Sequence, residues 1–179
     1  ALMLCALMAL NPMTVLDSAM WGQIDSILTL IAVGALYCYM KGKKPWSAAL
    51  FVAGVLVKPQ MLVFGPLLAA AFVYDIVKDP KRGARELGIS ALAGVAALLI
   101  IALPFSFGQE PLWLLHKYTT AAGSYPYATV NAFNLYALFG GNWLNYNTEL
   151  IFGITIKQFG IVMIVLMCAI SIAVYLAAN

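Results

Sequence analysis

Long apolar runs broken by short polar clusters dominate the chain. Residues 1–10 read as the end of a hydrophobic segment, and Asn11-Pro12 is a helix-start signal, Asn as N-cap and Pro at the first helical position. A short helix is expected to about Met20, with Gly22 allowing a bend. Ile24 to Met40 is the next apolar stretch, closed by Lys41-Gly-Lys43-Lys44. Ser47 to Val57 is apolar but shorter than the roughly 20 residues a helical crossing needs. Lys58-Pro59-Gln60 interrupts it, and Met61 to Val77 is apolar again. After the polar stretch Lys78 to Glu86, read as a second basic loop, Leu87 to Phe105 is an uninterrupted span. Residues 106–156 mix Pro, Gly, Asn, Tyr and Trp with short apolar runs, and a last span is expected over about Gln158 to Ala178.

This pattern predicts an all-α fold, a polytopic membrane helical bundle with short broken helices facing an external cavity. Residues 1–179 form a single transmembrane domain, with an external loop region at about 106–156. Composition agrees: 64% of the 179 residues are hydrophobic, 9% are charged, and the mean hydropathy is +0.93. Soluble domains carry about 25% charged residues. The net charge of +3 does not indicate nucleic acid, because the basic residues sit in loops and not along one face. Cys5, Cys38 and Cys168 lie far apart in apolar segments, without a Cys-x-x-Cys or Cys/His metal spacing, and read as buried small hydrophobes. There is no Asn-x-Ser/Thr acceptor for glycosylation of the chain itself. Ala1 opens inside an apolar run without a basic leader, so the sequence is read as a piece of a longer protein.

Charge placement orients the bundle. Seven of the ten Lys and Arg residues fall in the loops at 41–44 and 78–85. The positive-inside rule puts both loops in the cytoplasm. Residues 45–77 then leave and return as a helical hairpin, span 87–105 runs outward, and 106–156 is external. Helix rise sets depth. Lys41 back to Asp25 is 16 residues, roughly 24 Å, and Lys44 forward to Lys58 is 14 residues, roughly 21 Å. Asp25 and Lys58 therefore reach a similar level in the outer half of a hydrocarbon core about 30 Å thick.

Ionisable groups at membrane depth pair, line a wet cavity or do chemistry. Asp17, Trp21 and Asp25 are spaced i, i+4, i+8 and would share a face of a continuous helix. A carboxylate there could bind a cation, act as a base or orient a sugar hydroxyl, and Trp stacks on apolar sugar faces. The structural alternative makes the two Asp helix caps and Trp21 part of an aromatic belt. Lys58, beside a helix-kinking proline, suits a phosphate or diphosphate, or else snorkels to the interface. His116, the one His, reads as a headgroup-level residue on an interfacial helix begun by Pro111. The loop with Tyr125, Tyr127, Asn131 and Asn134 has the aromatics and amides of a carbohydrate site, or equally those of an interfacial belt with Asn in turns. Gly140-Gly141-Asn142-Trp143 reads as a turn, since no Gly-x-x-x-x-Gly-Lys is present.

Taken in order, Asn11-Pro12, Asp17-Ser-Ala-Met-Trp21-Gly22-Gln23-Ile-Asp25-Ser26, Lys58-Pro59-Gln60 and Tyr125-Pro-Tyr127-Ala-Thr-Val-Asn131-Ala-Phe-Asn134-Leu-Tyr-Ala-Leu-Phe-Gly140-Gly141 resemble bacterial members of the GT-C superfamily of integral membrane glycosyltransferases, mannosyltransferase-like in type. The resemblance covers roughly residues 11–145. It implies an enzyme of the bacterial plasma membrane, with its active site external. Such an enzyme moves a hexose of the mannose or glucose class from a polyprenyl-phosphate carrier to a glycan, lipid or protein acceptor. Divalent metal use varies among such enzymes. No metal ligands are assigned here, and the polyprenyl-phosphate sugar is the donor substrate. The resemblance further implies that Asp17, Trp21, Gln23, Asp25, Lys58, Gln60, Tyr125, Tyr127, Asn131 and Asn134 line the substrate and carrier site. The family's catalytic carboxylate belongs to a first external loop, expected upstream of Ala1, so neither Asp17 nor Asp25 is assigned as the base. A multi-pass transporter or flippase of a lipid-linked or small polar solute is the alternative, because transporters also use broken helices and midplane charges. A third reading, a non-catalytic membrane assembly subunit, would turn Lys58 toward a partner helix.

Overall fold

The computed structural model describes residues 2–16, 22, 24–130 and 134–178. The chain is mostly helical. Its helices are α1 (Leu2–Ala9), α2 (Pro12–Val15), α3 (Asp25–Met40), α4 (Lys44–Val57), α5 (Gly65–Lys78), α6 (Pro80–Ala102), α7 (Trp113–Gly123), α8 (Leu135–Leu138) and α9 (Ile156–Ala178). Two short strands, β1 (Glu149–Ile151) and β2 (Ile154–Thr155), pair antiparallel just before α9. The all-α expectation holds for the body of the chain, and this hairpin is the addition to it. Its turn, Phe152-Gly153, has positive φ at both residues, the backbone of a tight type I′ turn, without the Asn-Gly or Asp-Gly pair that advertises one.

Among the described residues, three segments are long and apolar enough to cross a membrane: Pro59–Lys78, Pro80–Phe105 and Ile156–Ala178. They mark the chain as a membrane protein. Helices α3 and α4 are apolar but shorter, 16 and 14 residues. Two starts differ from those read in the sequence. Residues 80–86 belong to α6 and not to a loop, because Asp79 caps the helix by accepting from the Arg82 N–H at 3.1 Å and Pro80 stands at its first position. Likewise α9 begins two residues ahead of Gln158, for a capping reason given below. The cysteines are all free thiols; Cys5 is exposed on α1 and Cys38 and Cys168 are half-buried, so the buried expectation is corrected.

The chain forms two compact units, one of residues 1–62 with 72–107, the other of residues 63–71 with 108–179. In the first, α4 packs against both α3 and α6. Small residues let these backbones approach, as expected where lipid supplies no hydrophobic drive between helices. A Cβ on Gly94 of α6 would sit 3.2 Å from Val52 of α4, and one on Gly34 of α3 would sit 3.5 Å from Leu50. Ser47, Gly54, Ser90 and Gly94 are buried in α4 and α6. In the second unit, a loop of isolated bridges, Tyr127 with Asn145 and Thr129 with Asn142, leads through the hairpin into α9.

Candidate functional site

The helix break expected at Lys58-Pro59 is present. Lys58 ends α4 in extended backbone (φ −154°, ψ 121°), the conformation a following proline imposes. Its own N–H still reaches Gly54 O at 2.9 Å, and Pro59 has no N–H with which to continue the ladder. The chain then tightens into a 3₁₀ segment, Pro59–Phe64. Met61, almost wholly buried, folds back over Gly54, where an added Cβ would lie 3.0 Å from the Met61 side chain and 3.2 Å from Ile31 of α3. Gly54 and Met61 thereby fix the direction in which the chain leaves α4, and with it the place of Lys58.

Across this break lies the first turn of α3. The Lys58 ammonium donates to the Asp25 carboxylate, joining the end of α4 to the start of α3. The common level counted from helix rise is thus also a lateral contact. The pair is unequally covered: the Lys58 side chain is 23% exposed and that of Asp25 50%. An ammonium set at a helix break beside a half-open carboxylate can meet a phosphate, or a hydroxyl-bearing ligand through Asp25. Gln60, in the 3₁₀ segment, is exposed. Asp17, Trp21, Gln23 and Asn131 lie outside the described residues.

The second group of expected site residues belongs to the other unit. Tyr125 is exposed. Tyr127 is partly covered by Trp143, edge to face with ring centroids 5.3 Å apart. Backbone bonds hold this loop: Ala128 N–H to Leu144 O at 2.7 Å, Trp143 N–H to Thr129 O at 2.9 Å and Tyr146 N–H to Pro126 O at 2.9 Å. Asn134 caps α8, accepting from the Ala137 N–H at 3.1 Å, and its amide donates to the hydroxyl of the buried Thr129 at 2.9 Å. Both ends of the Asn134 side chain therefore serve the turn. Gly140 and Gly141 also form a turn, with Gly140 at φ +74° and the Gly141 N–H on Tyr136 O at 2.7 Å.

One charged cluster was missed by the sequence reading. Lys44, at the start of α4, bonds Asp75 of α5 at 2.8 Å and also the Glu86 carboxylate of α6, while Arg82 bonds Glu86 at 2.8 Å. The Tyr39 hydroxyl donates to Asp75, and its ring stands edge-on to Phe72 at 5.6 Å. These groups tie α3, α4, α5 and α6 together where the two basic stretches meet. A signal was available: Asp75 is three residues from Lys78, so the rise count used for Asp25 and Lys58 places it near Lys44. Among the described residues no three His, Cys, Asp or Glu side chains gather into a metal-holding group. No protein-family model, characterised protein or solved structure matches the chain.

Proposed function

We propose that the chain belongs to a membrane glycosyltransferase that moves a hexose of the mannose or glucose class from a polyprenyl-phosphate carrier to an acceptor outside the membrane. The observation that carries this reading is the Asp25–Lys58 pair at the proline break of α4. In this role Lys58 faces the carrier phosphate as a point charge. Asp25, half exposed, orients the ammonium and accepts from sugar hydroxyls. In the other unit, the exposed ring of Tyr125 and the Tyr127–Trp143 pair offer apolar faces of the kind on which an acceptor stacks. No base is assigned among the described residues, and no step is routed through a metal.

A flippase or transporter would use the same broken helix and charge differently, moving the lipid-linked solute intact. The two readings separate in proteoliposomes that hold the protein as its gene encodes it and a polyprenyl-phosphate hexose labelled in the sugar. Transfer predicts label leaving the carrier for the acceptor fraction, with loss of that signal in a Tyr125→Ala, Tyr127→Ala variant that still folds. Label that stays on the carrier but changes leaflet would overturn the transferase and establish transport.

A further inference from the structure

The strand pair before α9 combines a costly turn with an apolar tip. Phe152 has φ 52°, in the left-handed region, where an aromatic residue is an outlier and Asn or Gly is favoured. The residue is 99% exposed, and Ile151 and Ile154 beside it are exposed as well. Neither folding of the turn nor packing of the unit accounts for Phe at this position. Strained residues of this kind point toward a role outside the fold.

The hairpin does not swing freely from α9. Thr155 and Gln158 form a reciprocal capping box: the Gln158 N–H donates to Thr155 Oγ1 at 3.2 Å, and the Thr155 N–H to Gln158 Oε1 at 2.9 Å. The next donors of the helix are also taken, Ile156 N–H by Thr148 O at 3.0 Å and Lys157 N–H by Tyr146 O at 2.9 Å. The Lys157 ammonium stands over the Tyr146 ring, 5.1 Å from its centroid. These bonds tie the strands directly to the first turn of the span. The 23 residues of α9 rise about 34 Å, enough to cross a hydrocarbon core of about 30 Å. Phe152 is four residues from Ile156, so its Cα lies at most about 14 Å from the first residue of the span. A Lys–Tyr pair at the mouth of a span matches the residues that mark a membrane–water interface.

We propose that the 149–155 hairpin is a lipid-inserting wedge, with Phe152, Ile151 and Ile154 embedded at the headgroup–acyl boundary of the leaflet that holds the N-terminal end of α9. The partner is the bilayer itself, and the wedge continues the lipid contact of α9. It holds the bridged stretches 126–130 and 142–148 against the membrane surface independently of what they bind.

The test uses the protein with Cys5, Cys38 and Cys168 replaced by Ala, and Phe152→Cys carrying an environment-sensitive nitrobenzoxadiazole label. It is reconstituted in vesicles of phosphatidylethanolamine and phosphatidylglycerol. Blue-shifted emission, quenched by lipids with a nitroxide near the headgroup and insensitive to aqueous iodide, is the expected result. Ile151→Cys, on β1, is expected to respond in the same way and does not perturb the turn. Quenching by iodide would place the tip in water. Quenching by neither agent would place it against protein, and either result overturns the wedge.

Discussion

Burial decides how Asp25 and Lys58 act. Exposed pairs contribute about 0–1 kcal/mol, whereas removing one partner of a buried pair costs about 3–5 kcal/mol. With Lys58 mostly covered and Asp25 half open, this pair falls between those limits. Lys58→Met keeps most of the stem and strands Asp25, so it should destabilise the protein by about 1–3 kcal/mol, bracketed by those two cases. It should also weaken carrier binding by about 1.5–3 kcal/mol, the range for a hydrogen bond to a charged group. Lys58→Arg keeps the charge but not the geometry and should retain part of the affinity. The double variant Asp25→Asn with Lys58→Met separates the two roles. It should recover stability in detergent, because no lone charge remains, and still fail to bind a polyprenyl phosphate. Recovery of carrier binding in the double variant would reduce Lys58 to a structural counterion.

Helix α6 shows what glycines contribute at the scale of an element. A Cβ on Gly83 would lie 2.6 Å from the backbone N and Cα of Ile76, so α5 and α6 approach there at backbone distance. Gly88, five residues on, has nothing within 4 Å of such a Cβ. Gly83→Ala should therefore destabilise by about 1–3 kcal/mol through overpacking, while Gly88→Ala should stabilise by about 1 kcal/mol through helix propensity. Thermal unfolding of the two variants in detergent reads the contrast, and equal shifts would mean that α5 and α6 do not meet this closely. The elements also show where sequence reading works. The break after α4 was legible because proline acts on its own backbone and on the residue before it. The level of Asp25 and Lys58 was legible from rise alone; their contact was not, since rise fixes height and not azimuth. The start of α6 was misread because the stretch 80–86, with four charged residues beside Pro80 and Gly83, resembles a loop, although Asp79-Pro80 and the Arg82–Glu86 spacing are local helix signals. The hairpin was missed because Phe152-Gly153 is a poor sequence for the turn it makes. Asn134 suited both a sugar site and a turn, and only its bonds to Ala137 and Thr129 reveal the turn role.

For the whole molecule, the question is which face each end of the helices meets. Lys44 contacts Asp75 and Glu86, so the stretches at 41–44 and 78–85 gather at one end of α3, α4 and α6. Asp25 and Lys58 lie a helix length away, about 21 Å along the 14 residues of α4. With seven basic residues at the first end, the positive-inside rule leads us to expect it in the cytoplasm. The 26-residue segment Pro80–Phe105 is long enough to cross the membrane from there, and the topology expected from the charges has Gly123 accessible from outside. Cysteine labelling in intact cells tests this, in a background without the native cysteines. Lys43 and Lys81 are exposed, and are better positions than Gly42, with φ +71°, or the tightly packed Gly83. Gly123, at the end of α7, has open space around it. Lys43→Cys and Lys81→Cys should resist an impermeant maleimide until the cells are permeabilised, and Gly123→Cys should label at once. Labelling at 43 or 81 from outside would invert the bundle and place the Asp25–Lys58 pair on the cytoplasmic side, where an external carrier site is excluded. Protection at all three positions would instead mean that α6 does not deliver α7 to the outside.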